Sequence, residues 1–359
     1  MGRVHRWGLA AVATALVMVT PFVGRLRPAH DPDVPTVDLV AAVRDSASAP
    51  YAGIVEVHGR LGLPIADHFT DLADLFGGST RLRVWWRGSD DWRVDRLLDT
   101  GEVDLFHRGR QTTQWSYERR RAEVSVDPEV RLPRDSDLLP PEVVRRALDG
   151  VDTADVSRLA PRRIAGVDAA GLRIAISGPA SSISHVDAWV DPATGVALAV
   201  DVYGDSSQPA VSTAFTAFSP ARPDIDKTRF RPAPGIFLSQ DRVLDIADAA
   251  NQFASVLPPS TIAGLVRSAG TAAAVYGSGL TRVLALPLPE REAEQIACRL
   301  SESGARRVHG QPLLRVGPLG AVVSRGDDRL GVRWLVTGTV TDQALLEATA
   351  DLDHQARPR

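Results

Sequence analysis

Apolar and polar residues alternate in short runs from Arg81 to Val126. The runs Arg81–Arg87, Trp92–Leu98 and Val103–His107 carry the pattern, and Gln111–Tyr117 and Ala122–Val126 extend it. Successive side chains of a strand point to opposite faces, so such alternation makes one face apolar and the other wet. Turn chemistry separates the runs: Gly88-Ser89-Asp90-Asp91, Asp99-Thr100-Gly101 and Arg108-Gly109-Arg110. The pattern predicts an antiparallel meander. Four of the seven tryptophans fall within it, in a chain that is only 6% aromatic. One surface of the meander therefore carries a large apolar area that something must cover.

The flanking segments follow the same logic. Thr36 is placed to cap a helix to about Ser46, with Val37, Val40, Ala41 and Val43 or Arg44 on one face, and Pro50 stops it. Tyr51–Leu63 reads as a strand bent at Gly53 and Gly59, and Asp67–Phe76 as a short helix. Beyond the meander, Pro140-Pro141-Glu142 opens a helix through Leu148 that Gly150 ends. Strands are predicted at Arg162–Val167, Leu172–Ser177, Ile183–Val190, Val196–Tyr203 and Val211–Phe218, before the proline-rich stretch Pro220–Pro234. Many strands and few helices imply one large antiparallel sheet, curved or partly closed.

A second unit is expected from near Ser239. It holds a helix at Asp241–Phe253, strands at Ala272–Tyr276 and Thr281–Leu286, and a helix at Glu290–Ser303. Strands at Leu313–Ser324 and Val332–Thr339 and a helix at Asp342–Asp351 complete it. The expectation is mainly β plus α+β: a large curved antiparallel sheet over residues 36–238, after a tether at 28–35, then a small α+β domain over 239–359. A length of 359 residues leaves room for both cores.

Charge and composition narrow the partners. The formal net charge is −3, and residues 1–30 hold Arg3, Arg6, Arg25 and Arg27 with no acid, which leaves about −7 for the rest. An acidic body disfavours nucleic acid as a partner. Arg3 and Arg6 precede an uncharged, mostly apolar run from Trp7 to Gly24. Residues 1–27 therefore read as a signal peptide or, preferably, an uncleaved signal anchor, since no small-x-small cleavage site follows. That places the body outside the cell membrane, anchored by its N-terminus, or secreted if the segment is removed.

Catalytic chemistry leaves little trace. No G-x-S-x-G elbow, P-loop or dinucleotide G-x-G-x-x-G occurs, and the eight histidines show no metal-ligand spacing. His58, His68, His107 and His185 read as surface strand residues, and Asp90-Asp91, Asp327-Asp328 and Arg325-Gly326-Asp327 as turns. The lone Cys298 excludes an intramolecular disulfide. An enzyme is disfavoured, and no catalytic residue, metal or cofactor is assigned.

Three stretches carry a family resemblance: Pro50–Val57, Leu82–Trp86 followed by Asp91–Asp95, and Val186–Gly195, with Phe230–Gly235 resembling a sheet-closing tail. In this order they resemble the LolA/RseB superfamily of exported lipid- and lipoprotein-binding proteins, most closely its actinobacterial RseB-like branch. The resemblance implies an unclosed half-barrel whose concave face, covered by helices, holds acyl chains. It also implies a second domain that helps contact a membrane-bound anti-sigma factor. Two functions stay open: a non-catalytic regulator that binds lipid or lipoprotein, and a lipid or lipoprotein carrier of the LolA kind. Trp85, Trp86, Trp92, Trp115, Trp189 and Phe215 are the candidate lining residues. Each reads equally well as ordinary core, because an acyl site needs apolar area, roughly 0.8 kcal/mol per buried CH₂, more than placed polar groups.

Overall fold

The alternating segments pair in sequence order in the computed structural model, which describes residues 29–62, 76–232, 237–239, 246–326 and 330–359. Strands β1 (Tyr51–Gly59), β2 (Ser79–Gly88), β3 (Asp91–Leu98), β4 (Gly101–Arg108), β5 (Gln111–Ser116) and β6 (Arg121–Val126) form the meander. A second run holds β7 (Val156–Ile164), β8 (Val167–Ala175), β9 (His185–Val190), β10 (Ala197–Tyr203) and β11 (Val211–Ser219). β11 returns to pair antiparallel with β1, and β12 (Phe237–Ser239) adds parallel to β6. The result is one twelve-stranded sheet in the order β12-β6-β5-β4-β3-β2-β1-β11-β10-β9-β8-β7. Its edges are β12 and β7, which do not pair, so the sheet is an unclosed half-barrel.

Period two decides what each face does. Tyr51, Val55 and Val57 lie on the same face as their cross-strand neighbours Leu82, Trp86, Trp92 and Val94, all buried. Farther along, Leu172, Ile174, Val186, Ala188 and Val200 continue that face. Helices α1 (Thr36–Asp45) and α2 (Pro140–Ala147) cover it with Leu39, Val40, Val43, Val143, Val144 and Ala147. The 3₁₀ turn Asp135–Leu138 and Leu139 cover the meander end. Burying each such aliphatic side chain contributes about 1.5–3 kcal/mol, which holds the helices down.

The outer face is crossed instead by the proline-rich stretch. It contains a single helical turn, α3 (Ile225–Thr228), that packs on β2 and β3. Arg87 donates to the Pro223 carbonyl, and Phe230 sits against Phe106 and Trp115 with ring centroids 5.2 and 6.2 Å apart. A strap therefore runs across the back of the meander.

The remaining strands are β13 (Val256–Leu257), β14 (Thr261–Ile262), β15 (Leu265–Gly270), β16 (Ala274–Ser278), β17 (Thr281–Pro289), β18 (Arg306–Val308), β19 (Gln311–Val316), β20 (Leu319–Val323), β21 (Val332–Gly338) and β22 (Arg357–Pro358). Eight of them form a sheet in the order β14-β15-β16-β17-β21-β20-β19-β18. Helices α4 (Ile246–Phe253), α5 (Glu290–Glu302) and α6 (Asp342–Gln355) accompany it. The two sheets touch: Ser181 bridges Val340, Gly279 N–H donates to Asp149 Oδ2 at 3.1 Å, and Val130 is buried in the second sheet's core.

Several sequence expectations shift for local reasons. Thr36 is the first helical residue rather than the cap, which is Pro35 with no side-chain hydrogen bond. Val37 is 56% exposed while Leu39 is buried, so the helix's apolar stripe is Leu39, Val40 and Val43. The strand expected at Arg162–Val167 is a hairpin turn: Ala165 and Gly166 adopt φ of 49° and 87°, ending β7 and starting β8. Leu313–Ser324 is likewise a hairpin, turned at Gly317 with φ 55°. Strands β14, β15 and β18 were not anticipated. The expected signal segment, most of the helix Asp67–Phe76 and Asp327-Asp328 lie outside the described residues. Among the described residues no helix is long and apolar enough to cross a membrane.

Candidate ligand-binding face

The covered face carries a row of stacked rings. Phe215 of β11 meets Tyr51 of β1 edge-on at 5.7 Å, and Tyr51 stacks on Trp86 of β2 at 5.7 Å with planes 5° apart. Trp86 stacks on Trp92 of β3 at 5.6 Å, and Trp92 on His107 of β4 at 4.9 Å. Neighbouring strands lie about 4.8 Å apart, so rings at facing positions on successive strands must meet. Sheet register builds the ladder: Tyr51 faces Trp86, Trp86 faces Trp92, and Trp92 faces His107. Four steps between five rings span on the order of 20 Å. Tyr51, Phe215, Trp86 and Trp92 are only 1, 2, 4 and 6% exposed, so the ladder is closed over.

Its roof is pinned by charge. Asp137, in the 3₁₀ turn, accepts from Arg131 Nη1 at 2.7 Å, the Arg134 backbone N–H at 2.8 Å and Arg146 Nη2 at 2.5 Å. Although burial works the other way, the arginines Arg131 and Arg146 and the Arg134 N–H hold its carboxyl well below the usual range. At the His107 end, Nδ1 lies 3.0 Å from Thr112 Oγ1, and Arg134 links Thr112 to Asp127. Burial lowers the His107 pKa. His107 is thus half-buried in the ladder rather than a surface residue, and His185 likewise stacks on Tyr203 at 4.4 Å.

Of the six candidate lining residues, Trp86, Trp92 and Phe215 come together here. Trp85 and Trp115 stand on the opposite face, and Trp189, buried in the same hydrophobic cluster as the ladder, makes none of its ring contacts. Trp85 is held between the guanidinium groups of Arg83 and Arg93, 5.1 and 5.0 Å from its ring centre. Trp115 packs on the strap, and Trp189 lies under Arg162 while its Nε1 donates to the Ala160 carbonyl at 3.1 Å. Tyr51 and His107 belong to the ladder although the tryptophan count alone did not single them out. The signal was present in the period-two register that sets Tyr51, Trp86, Trp92 and His107 in one row.

The outer face also gathers charge that spacing in sequence did not reveal. Asp95, Glu102 and Asp104 place carboxylate oxygens within 4.8 Å of one another. Arg83 bonds Asp95 and Glu102 at 2.9 and 2.8 Å, and Arg93 bonds Asp95 and Asp104 at 2.5 and 2.8 Å. Burial, then the Asp95 charge and the Glu102 hydrogen bond, push the Asp104 carboxyl up to about 8, so it is mostly protonated at neutral pH. Arg83 and Arg93 hold oxygens of all three carboxylates, which makes this an internal ion network, although Asp104 Oδ1 is buried without a partner. A separate cleft of about 890 Å³, lined by residues including Pro258, Pro259, Leu330, His354 and Pro358, lies in the other sheet's region, remote from the ladder.

No protein-family model and no curated protein matches the chain. Among solved structures, the MucA/MucB complex of Pseudomonas aeruginosa holds a chain that is similar at TM-score 0.50 and 17% identity, over 90% of this chain and 99% of that chain. MucB in complex with MucA(peri) is similar at TM-score 0.47 and 17% identity, over 90% and 99%. A LolA superfamily protein from Nitrosomonas europaea is similar at TM-score 0.22 and 11% identity, over 52% and 92%. At 17% identity the Pseudomonas likeness is one of fold. This protein shares the overall fold of that chain.

Proposed function

We propose that this protein is a non-catalytic, exported acyl-binding regulator whose covered face takes lipid or lipoprotein acyl chains. The observation that carries this reading is the aromatic ladder under a roof of one turn and one short helix. Five rings in a row offer a long, flat, apolar surface, and a chain laid along it gains roughly 0.8 kcal/mol for each CH₂ removed from water. The roof is pinned through the buried Asp137 to Arg131 and Arg146, and the reading requires it to lift to admit a chain.

A regulatory role is supported by the shared fold with a chain from the MucA/MucB complex. The partner we propose is the exported part of a membrane-bound anti-sigma factor. The N-terminal segment Met1–Gly24 tethers the body to the outer side of the cell membrane, which favours a local regulator over a diffusing carrier.

Isolation of the full-length protein from native membranes, with mass spectrometry of bound proteins and extracted lipids, tests the reading. The expected result is acyl lipid together with a single-pass membrane protein on a chain that keeps Met1–Gly24. Acyl cargo on a cleaved chain without such a partner would make it a carrier instead. Absence of any acyl ligand would refute both.

A further inference from the structure

Two side chains, Tyr51 on the covered face and Arg145 on the roof helix α2, carry hydrogen-bond donors that nothing meets. The Tyr51 hydroxyl is enclosed, with the residue 1% exposed, and it has no partner. Nε of Arg145, on α2, is also buried and unmet, while Nη2 of the same group donates to Glu142. The two lie within electrostatic reach. Burial raises the Tyr51 pKa against the pull of the Arg145 charge, and burial lowers that of Arg145. Buried donors without acceptors are rare and costly, so each calls for an explanation.

The chemistry of the missing partner follows from the donors. A guanidinium only donates, so Arg145 needs an acceptor, and its positive charge favours an oxygen with partial or full negative charge. Tyr51 is itself a rung of the ladder, between Phe215 and Trp86. We propose that the Tyr51 hydroxyl and the Arg145 guanidinium receive the carbonyl oxygen of an acyl group whose chain lies along the ladder toward Trp92. This rests on the acyl-binding reading above and deepens it. The ladder supplies affinity for the chain without regard to its head, and the dyad fixes which end goes where. The carbonyl belongs either to a free fatty acid or to an acyl ester.

The test uses delipidated full-length protein and three ligands of equal chain length: dodecanoate, methyl dodecanoate and dodecane, each competing against a fluorescent apolar probe. The wild type is expected to bind at least one carbonyl-bearing ligand about tenfold more tightly than dodecane. In Tyr51→Phe the ring remains and the tenfold preference for a carbonyl-bearing ligand over dodecane is lost. Arg145→Gln separates the two sources: loss of a preference for dodecanoate over its ester identifies a free acid, and equal binding of both before and after identifies an ester. A Tyr51→Phe protein that keeps the preference overturns the dyad and leaves the acyl site standing, with an ordered water meeting the hydroxyl. Failure of all three ligands on the wild type overturns the acyl reading itself.

Discussion

Trp85 and Trp86 are adjacent in β2 and have opposite surroundings. Trp86 stacks between Tyr51 and Trp92 under an apolar roof. Trp85 stands on the outer face between two arginines that also hold Asp95. Residue type is the same; the strand's period of two sets the difference. A sheet can therefore carry two aromatic systems back to back: one dry row suited to hydrocarbon, and one set of rings and ion pairs that holds the strap and the strands in place.

Substitutions on the two sides should separate sharply. Trp86→Ala opens a cavity in the middle of the ladder and is expected to cost about 3–5 kcal/mol of stability, measured by urea unfolding, together with acyl binding. Trp85→Ala should cost about 1 kcal/mol, the scale of a half-exposed cation–π contact, and leave acyl binding intact. Equal losses at both positions would break the comparison.

Asp137→Ala comes next. It leaves Arg131 and Arg146 facing a void and is expected to cost about 3 kcal/mol, seen as a lower urea midpoint. Because the Asp137 carboxyl is depressed in the folded protein, its contribution is present above the ordinary carboxylate pKa and is lost as pH falls below it. Wild type and variant should converge in stability toward acid.

Asp104 behaves in the opposite sense. Its folded pKa, about 8, lies above its unfolded value, so its protonated form contributes fully below about pH 4 and the contribution is lost as pH rises toward 8. Asp104→Asn, which keeps the shape and carries no titrating proton, should flatten the decline in melting temperature over that range by a few degrees. An unchanged slope would mean that Asp95, whose carboxyl pKa burial also raises, carries the decline instead. The smallest effect is expected from Phe230→Ala, about 1 kcal/mol for the loss of its contacts with Phe106 and Trp115, with no change in acyl binding.

Much of this was legible in the chain. Alternation from Arg81 to Val126, with Gly and Asp turns, gave the meander strand by strand, because tight hairpins pair neighbours in sequence. What escaped was long-range. The alternation says that Trp85 and Trp86 point apart, yet it does not say which of them a helix covers; that depends on α2 and the Asp137 turn, some fifty residues later. Tyr51 joins the ladder only because β1 pairs with β2 in a register set across a segment that carries no alternation. The carboxylates of Asp95, Glu102 and Asp104 likewise meet through strand pairing, with no spacing that resembles a motif. Turns with positive φ at Ala165 and Gly317 divided stretches that read as single strands, since neither has a strong turn pair before it.

The most direct test of the account is quenching of tryptophan fluorescence by an acyl chain brominated along its length. Bromine quenches only rings it touches, so the two faces report separately. The account predicts strong quenching in the wild type and in the double variant Trp85→Phe/Trp115→Phe, and its loss in Trp86→Phe/Trp92→Phe. Quenching that survives removal of Trp86 and Trp92 but disappears without Trp85 and Trp115 would place the acyl chain on the outer face and contradict the claim that the covered ladder is the binding surface.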